Sequence, residues 1–89
     1  MTGSLRLDKF LVYCRFARTR SRAQAMIDQG LMRVNGTRAL RGHAPVAAGD
    51  TLTLVHGGEV MIVAIESLPE RREPPAKAKT RYRMLDRAG

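Results

Sequence analysis

Basic side chains are the groups in this sequence whose type and spacing could do chemistry together. Arg6 and Lys9 stand on one side of a break, Arg18, Arg20 and Arg22 follow at alternate positions, and Arg33 comes later. Arginine offers a planar fork of N–H donors that matches phosphate oxygens, while lysine supplies a compact point charge. Thr19, just before Arg20, can cap a helix whose free backbone N–H groups and positive dipole end make an anion site. Tyr13 adds a ring able to stack on an unpaired base or ribose, and Asn35 extends the polar edge beside Arg33. This is chemistry for holding a polyanion, not for transforming one.

The groups that catalysis or metal binding would need are missing or dispersed. Cys14 is the single cysteine, so no internal disulfide can form, and beside Leu11 and Phe16 it reads as a small core residue. His43 and His56 lie in glycine-rich stretches without a cluster of carboxylates or thiols, so no metal is expected. No Ser/His/Asp or Cys/His set, phosphate-cradling glycine loop or pair of carboxylates in one cleft is visible. The expectation is a chain with no catalytic residues and no cofactor.

Eighty-nine residues suffice for one domain with a small core. Sixteen Lys and Arg against eight Asp and Glu give a net charge of +8, which favours nucleic acid or an anionic membrane as partner. The charges are also separated along the chain. Residues 5–41 hold nine basic side chains and two acidic ones; residues 42–68 hold three acids and no Lys or Arg; residues 69–89 hold seven bases and three acids. A surface built for solubility alone mixes its signs. No apolar run could span a bilayer, and the basic residues border no large apolar stripe. The segment Met1–Arg6 lacks the apolar stretch of a signal peptide, so a cytoplasmic protein without membrane contact is expected.

The elements that must position these residues follow from periodicity. Leu7, Phe10, Leu11 and Cys14 recur at helical spacing, which predicts a helix from Leu7 to about Arg15 with Asp8 in its first turn. Arg6, Lys9 and Tyr13 share another face of it. Thr19 caps a second helix, Arg20 to Gln29, which buries Ala23, Met26 and Ile27 and ends at Gly30. Asp8 reads as a helix-start carboxylate or a partner that orients Arg20 or Arg22. Then the period changes to that of strands. Leu31–Val34 and Thr37–Ala39 flank Asn35-Gly36, a two-residue hairpin signal. Gly42–Pro45 is a loop and Gly49-Asp50 a turn. Thr51–Val55 and Val60–Ile65 are strands around a His56–Glu59 turn. The domain spans residues 5–68. Residues 69–89, with Pro69, Pro74 and Pro75, form a basic tail with at most one helical turn near residues 81–85. That tail could be a solvated end or a non-specific RNA anchor.

Five blocks now stand in order: Arg6-Leu7-Asp8-Lys9-Phe10-Leu11, Thr19-Arg20-Ser21-Arg22-Ala23, Met26-Ile27-Asp28-Gln29-Gly30, Val34-Asn35-Gly36 and Gly49-Asp50. In order and spacing they resemble the S4 RNA-binding domain over roughly residues 5–55. The resemblance implies an α+β fold, an S4-like (αL) module with two N-terminal helices packed on a small, mostly antiparallel sheet. The opening block, the Arg15–Arg20 segment and the length are similar to a short, free-standing, ribosome-associated heat-shock branch of the family. From that branch the sequence departs in its tail, which is shorter, richer in proline and without a long helix. The resemblance implies rRNA of the large ribosomal subunit as partner, and also tRNA, in recycling or rescue of subunits carrying a blocked nascent chain–tRNA. The free protein is expected to be a monomer. On this reading Arg6, Lys9, Tyr13, Arg18, Thr19, Arg20, Arg22, Arg33 and Asn35 meet the RNA, mostly through phosphate positions. Small-subunit rRNA, a transcript or duplex DNA are the alternative partners.

Overall fold

Leu7, Phe10, Leu11 and Cys14 are all buried, as a single helical stripe requires. The computed structural model describes residues 3–88; Met1 and Thr2 of the amino-terminal segment and Gly89 of the expected tail lie outside them. Helix α1 spans Leu7–Tyr13, ending before the Arg15 expected. It ends because Arg15 turns left-handed at φ 67°. The Phe16 N–H then reaches back to the Leu11 carbonyl at 2.8 Å, and the Arg15 N–H to the Val12 carbonyl at 3.1 Å. This is a Schellman cap, whose left-handed position is usually glycine. Arginine there costs on the order of 1 kcal/mol. What the side chain does in return is donate from Nη1 to the Glu73 carbonyl at 3.0 Å, fastening a distant segment.

Helix α2 spans Arg20–Asp28, and its cap is the one expected: Thr19 Oγ1 accepts the Arg22 N–H at 3.1 Å. Gly30, at φ 78°, occupies the left-handed position past its end. Ala23 and Ile27 are buried, and Met26 is half-buried against the same core.

The first turn of α1 has no side-chain cap. Instead the Leu7 and Asp8 N–H groups donate to the carbonyls of Ala44 and Gly42 at 2.8 and 2.9 Å. Orphan donors of a helix start are thus satisfied by the 42–44 loop. The loop is held there by a two-stranded ribbon, β1 (Leu5–Arg6) with β4 (Pro45–Val46), which sequence pattern did not predict.

The main sheet is antiparallel throughout. Strands β2 (Arg33–Val34), β3 (Thr37–Arg38), β5 (Thr51–His56), β6 (Glu59–Ile65) and β7 (Tyr82–Ala88) lie in the order β3-β2-β5-β6-β7. Asn35 and Gly36 both have positive φ, 53° and 83°, the backbone of a two-residue hairpin turn that matches strand twist. Asp50 ties this hairpin to the next turn. Its Oδ1 accepts from Asn35 Nδ2 at 3.0 Å and its Oδ2 from the Ala47 N–H at 2.8 Å, while Asn35 Oδ1 accepts the Thr51 N–H at 2.8 Å. The Val-Asn-Gly and Gly-Asp blocks are therefore one structural unit. Leu52, Leu54, Val63 and Ile65 alternate along β5 and β6 and join the helix residues in a single core. Burying each such side chain contributes about 1.5–3 kcal/mol.

The expected tail is corrected by the structure. Strand β6 is not the last, because residues 82–88 return to the sheet as β7, and α3 (Pro75–Ala78) with a 3-10 turn (Lys79–Arg81) leads into it. Proline did not prevent this. Pro75 sits in the first turn of α3, where a missing N–H is no loss. Nor did charge prevent it. Arg81 donates from Nε and Nη2 to both oxygens of the buried Glu73, at 3.0 and 2.6 Å, and from Nη1 to Ser67 Oγ at 3.1 Å. Tyr82 packs on Phe16, ring centroids 4.9 Å apart, and Phe16 meets His56 edge-on at 5.5 Å.

Candidate nucleic-acid interface

Asp8 organises the basic face. Its carboxylate is 4% exposed, at the start of α1, and two arginines from other segments converge on it. Arg6, from β1, donates Nε to Oδ1 at 3.1 Å and Nη2 to Oδ2 at 2.9 Å. Arg20, from the first turn of α2, donates Nη2 to Oδ2 at 3.3 Å. Asp8 is thus the orienting partner expected of it, serving Arg20 and Arg6 rather than Arg22. The Arg6 and Arg20 side chains remain 44% and 56% exposed, and neither spends all its N–H donors on Asp8. A buried anion between two part-exposed forks fixes their geometry before any ligand arrives, which lowers the ordering cost of binding. Gly42 leaves the room this arrangement needs. A Cβ there would lie 3.0 Å from Asp8 Oδ2 and 3.2 Å from Asp8 Cβ, and would also press on the Gln24 side-chain oxygen. Gly42→Ala is expected to lower stability by about 1–2 kcal/mol, read from urea unfolding.

Acidity links this cluster to stability. Burial pushes the Asp8 carboxyl up, but the hydrogen bond and charge of Arg6, the Lys9 N–H and the charge of Arg20 together hold it below its ordinary 3.8. The hydrogen bonds from Arg81 likewise hold Glu73 below its ordinary 4.5, outweighing burial. Both carboxyls bind protons more readily in the unfolded chain. Their stabilisation is therefore complete above the unfolded values and is lost as pH falls through the folded ones. The urea midpoint should stay level down to about pH 5 and fall below it, and Asp8→Asn with Glu73→Gln should flatten that fall.

Helix α2 divides the remaining basic residues. Positions two apart on a helix point roughly 200° apart, so Arg20 and Arg22 leave opposite flanks of the buried Ala23–Ile27 stripe. Arg20 meets Asp8; Arg22 lines a groove with Arg18 and Thr19, walled on its far side by the β5–β6 turn. Thr19 uses its hydroxyl for the helix cap. Lys9 and Tyr13 are half-buried on α1, and the Tyr13 carbonyl accepts the Glu73 N–H at 3.4 Å. Arg33 is exposed on the hairpin, its Nη1 donating to the Gly36 carbonyl at 3.3 Å. It stands directly opposite Arg38 across β2 and β3. Asn35 has its amide committed to Asp50 and Thr51, so it holds the hairpin in shape. Lys9, Arg18, Arg38 and Arg41 make no ion pair among the described residues. Sequence reasoning grouped Arg6, Lys9, Arg18, Arg20 and Arg22 and gave Asp8 to Arg20 or Arg22. The structure joins Arg6 and Arg20 at Asp8, sets Arg22 with Arg18 on the other flank of α2, and adds a groove there whose far wall contains His56.

Among the described residues, no group of three or more His, Cys, Asp or Glu could hold a metal ion. Burial, with the Glu73 charge adding, pushes the Cys14 thiol up to about 12, so it stays protonated. No helix among the described residues is long and apolar enough to cross a membrane.

Two helices opening on a sheet, with arginines pinned by a helix-start carboxylate, define a recognisable class of protein. A family profile for the S4 domain matches residues 5–52, and the chain belongs to that family of RNA-binding modules. Its relatives include heat shock protein 15 of Escherichia coli (strain K12), 36% identical over 78 residues that cover 88% of this chain. The chain spans 58% of that relative's length. The RQC P-site tRNA stabilizing factor of Bacillus subtilis (strain 168) is 35% identical over 66 residues, 74% of this chain and 76% of that protein. The trimeric structure of heat shock protein 15 from Vibrio cholerae matches with a TM-score of 0.85 at 34% identity, covering 92% of this chain and 82% of that one.

Proposed function

We propose that this chain binds structured RNA without catalysing a reaction, on the rRNA of the large ribosomal subunit. There it would serve recycling or rescue of subunits that still carry a blocked nascent chain–tRNA. The observation that carries this reading is the Asp8 cluster, in which Arg6 and Arg20 are held as a preset pair of phosphate-binding forks. The name of the Bacillus subtilis relative, which speaks of stabilising P-site tRNA, supports the tRNA side of the proposal. Lys9 and Tyr13 extend the contact along α1 and Arg33 along the hairpin that Asn35 shapes, while Arg18, Thr19 and Arg22 add a second contact at the start of α2, on the flank away from Arg20. The protein acts in the cytoplasm, is a monomer when free, and needs no metal or cofactor.

Sedimentation of cell lysate through a sucrose gradient tests the partner. Co-migration with large subunits that retain tRNA is the expected result; migration with small subunits or with free RNA overturns it in favour of an assembly or regulatory role. Contact with about four to six phosphates also implies that log affinity falls against log salt with a slope on the order of −3 to −5. Titration of an rRNA fragment across salt concentrations measures it.

A further inference from the structure

The groove on the Arg22 flank of α2 differs in kind from the Asp8 cluster. Its volume is about 570 Å³, within the range of roughly 300–1,000 Å³ usual for sites that enclose a small ligand. Its apolar surface comes from Phe16, Met26 and Val55, and Arg18 and Arg22 stand at its rim. Exposed His56 adds an imidazole, braced edge-on against the Phe16 ring at 5.5 Å. No Asp or Glu lines it. Across it, the turn at Gly57 and Gly58 has no side chains, and a Cβ at either would meet nothing within 4 Å, so the entrance is open.

A paired backbone presents only phosphate and sugar, for which an apolar floor is the wrong surface. An acidic peptide would satisfy the two arginines and leave the same floor unused. A single unpaired nucleotide satisfies both halves: an aromatic base for the floor and imidazole, and a phosphate for the guanidiniums. Resting on the reading of this chain as an RNA binder, we propose that this groove holds one unpaired nucleotide of the bound RNA. The base lies against Met26, Val55 and His56, and its phosphate meets Arg18 and Arg22. Gln29, at the edge of the groove, is placed to hydrogen-bond an edge of the base.

The test uses the full chain and two RNA hairpins of equal length, one fully paired in its stem and one with a single bulged uridine. Fluorescence anisotropy is expected to show the bulged hairpin binding about tenfold tighter, the weight of one stacked base. His56→Ala should bring the two affinities within about twofold of each other while leaving the fully paired hairpin unaffected. Its unfolding midpoint, measured alongside, should fall only slightly, by the edge-on contact with Phe16 that is lost, so that the variant is fully folded where binding is measured. A photoreactive 4-thiouridine at the bulge should crosslink to residues of the groove. Equal affinity of the parent for both hairpins overturns the groove proposal alone. So does a His56→Ala loss shared equally by both, or a crosslink mapping elsewhere. Failure to bind either hairpin overturns the RNA reading itself.

Discussion

Arg20→Glu is expected to weaken RNA binding by about 2–3 kcal/mol, on the order of a hundredfold, with the fold left intact. Three effects add. The substitution removes a guanidinium whose donors are only partly used, since Arg20 gives Asp8 a single bond at 3.3 Å and remains 56% exposed. It places a second carboxylate beside the buried Asp8, so phosphate meets two negative groups where it met a positive fork. It also leaves Arg6 as the sole neutralising partner of Asp8, which draws that guanidinium inward. The salt slope should become shallower by about one to two units, because fewer counterions are displaced. Arg20→Lys separates charge from shape. It keeps the charge and loses the planar fork, and should cost less than about tenfold. Filter binding at several salt concentrations decides it: an unchanged slope for Arg20→Glu removes this residue from the interface. Stability should fall by about 1–3 kcal/mol, because Asp8 is buried and trades one of its two partners for a like charge, so binding is read at a temperature where the variant is folded.

Phe16→Ala should be among the most damaging single changes to the fold, lowering stability by about 3 kcal/mol or more. Phe16 is buried immediately after the cap of α1, and three parts of the structure meet on its ring: that cap, the β5–β6 turn through His56, and β7 through Tyr82. Truncation leaves a cavity and also releases the segment that sequence pattern reads as a tail. For a chain of this size the melting temperature should drop by roughly 12–25 °C. Hydrogen exchange should show β7 losing protection first, because its inner neighbour β6 keeps β5 as a second partner. Phe16→Leu, which retains most of the volume, should lose far less. Uniform loss of protection over all strands would mean that Phe16 does not specifically hold β7.

Why these features differ in how well sequence reveals them is a matter of range. Helices α1 and α2, the Asn35-Gly36 hairpin and strands β5 and β6 are legible because local rules set them: a helical period, a Thr cap, a positive-φ turn, strict alternation. The β1–β4 ribbon is not, since each strand is two residues long and its partner is distant in sequence. Nor is β7. Tyr82 to Asp86 lacks a β-branched alternating pattern, and its neighbours are dense in charge and proline. What orders it is long-range: the Glu73–Arg81 pair, the Arg15 bond to the Glu73 carbonyl, and the ring of Phe16. The same holds for the site. The orienting role of Asp8 follows from a carboxylate at a helix start among arginines, while the parting of Arg20 from Arg22 needs the direction of the core stripe. The groove beside Arg22 was hidden because its two walls come from elements far apart in the chain.

One pairing in the sheet carries an energetic consequence of its own. Arg33 and Arg38 face each other across the β2–β3 ribbon, and like charges in that position repel. Added electrolyte must therefore act in opposite senses on this molecule: it shields the ribbon from its own repulsion, yet it loosens the grip on a polyanion. The tip of the hairpin should open less often in concentrated salt than in dilute buffer, and a bound phosphate lying between the two guanidiniums would quiet it in the same way.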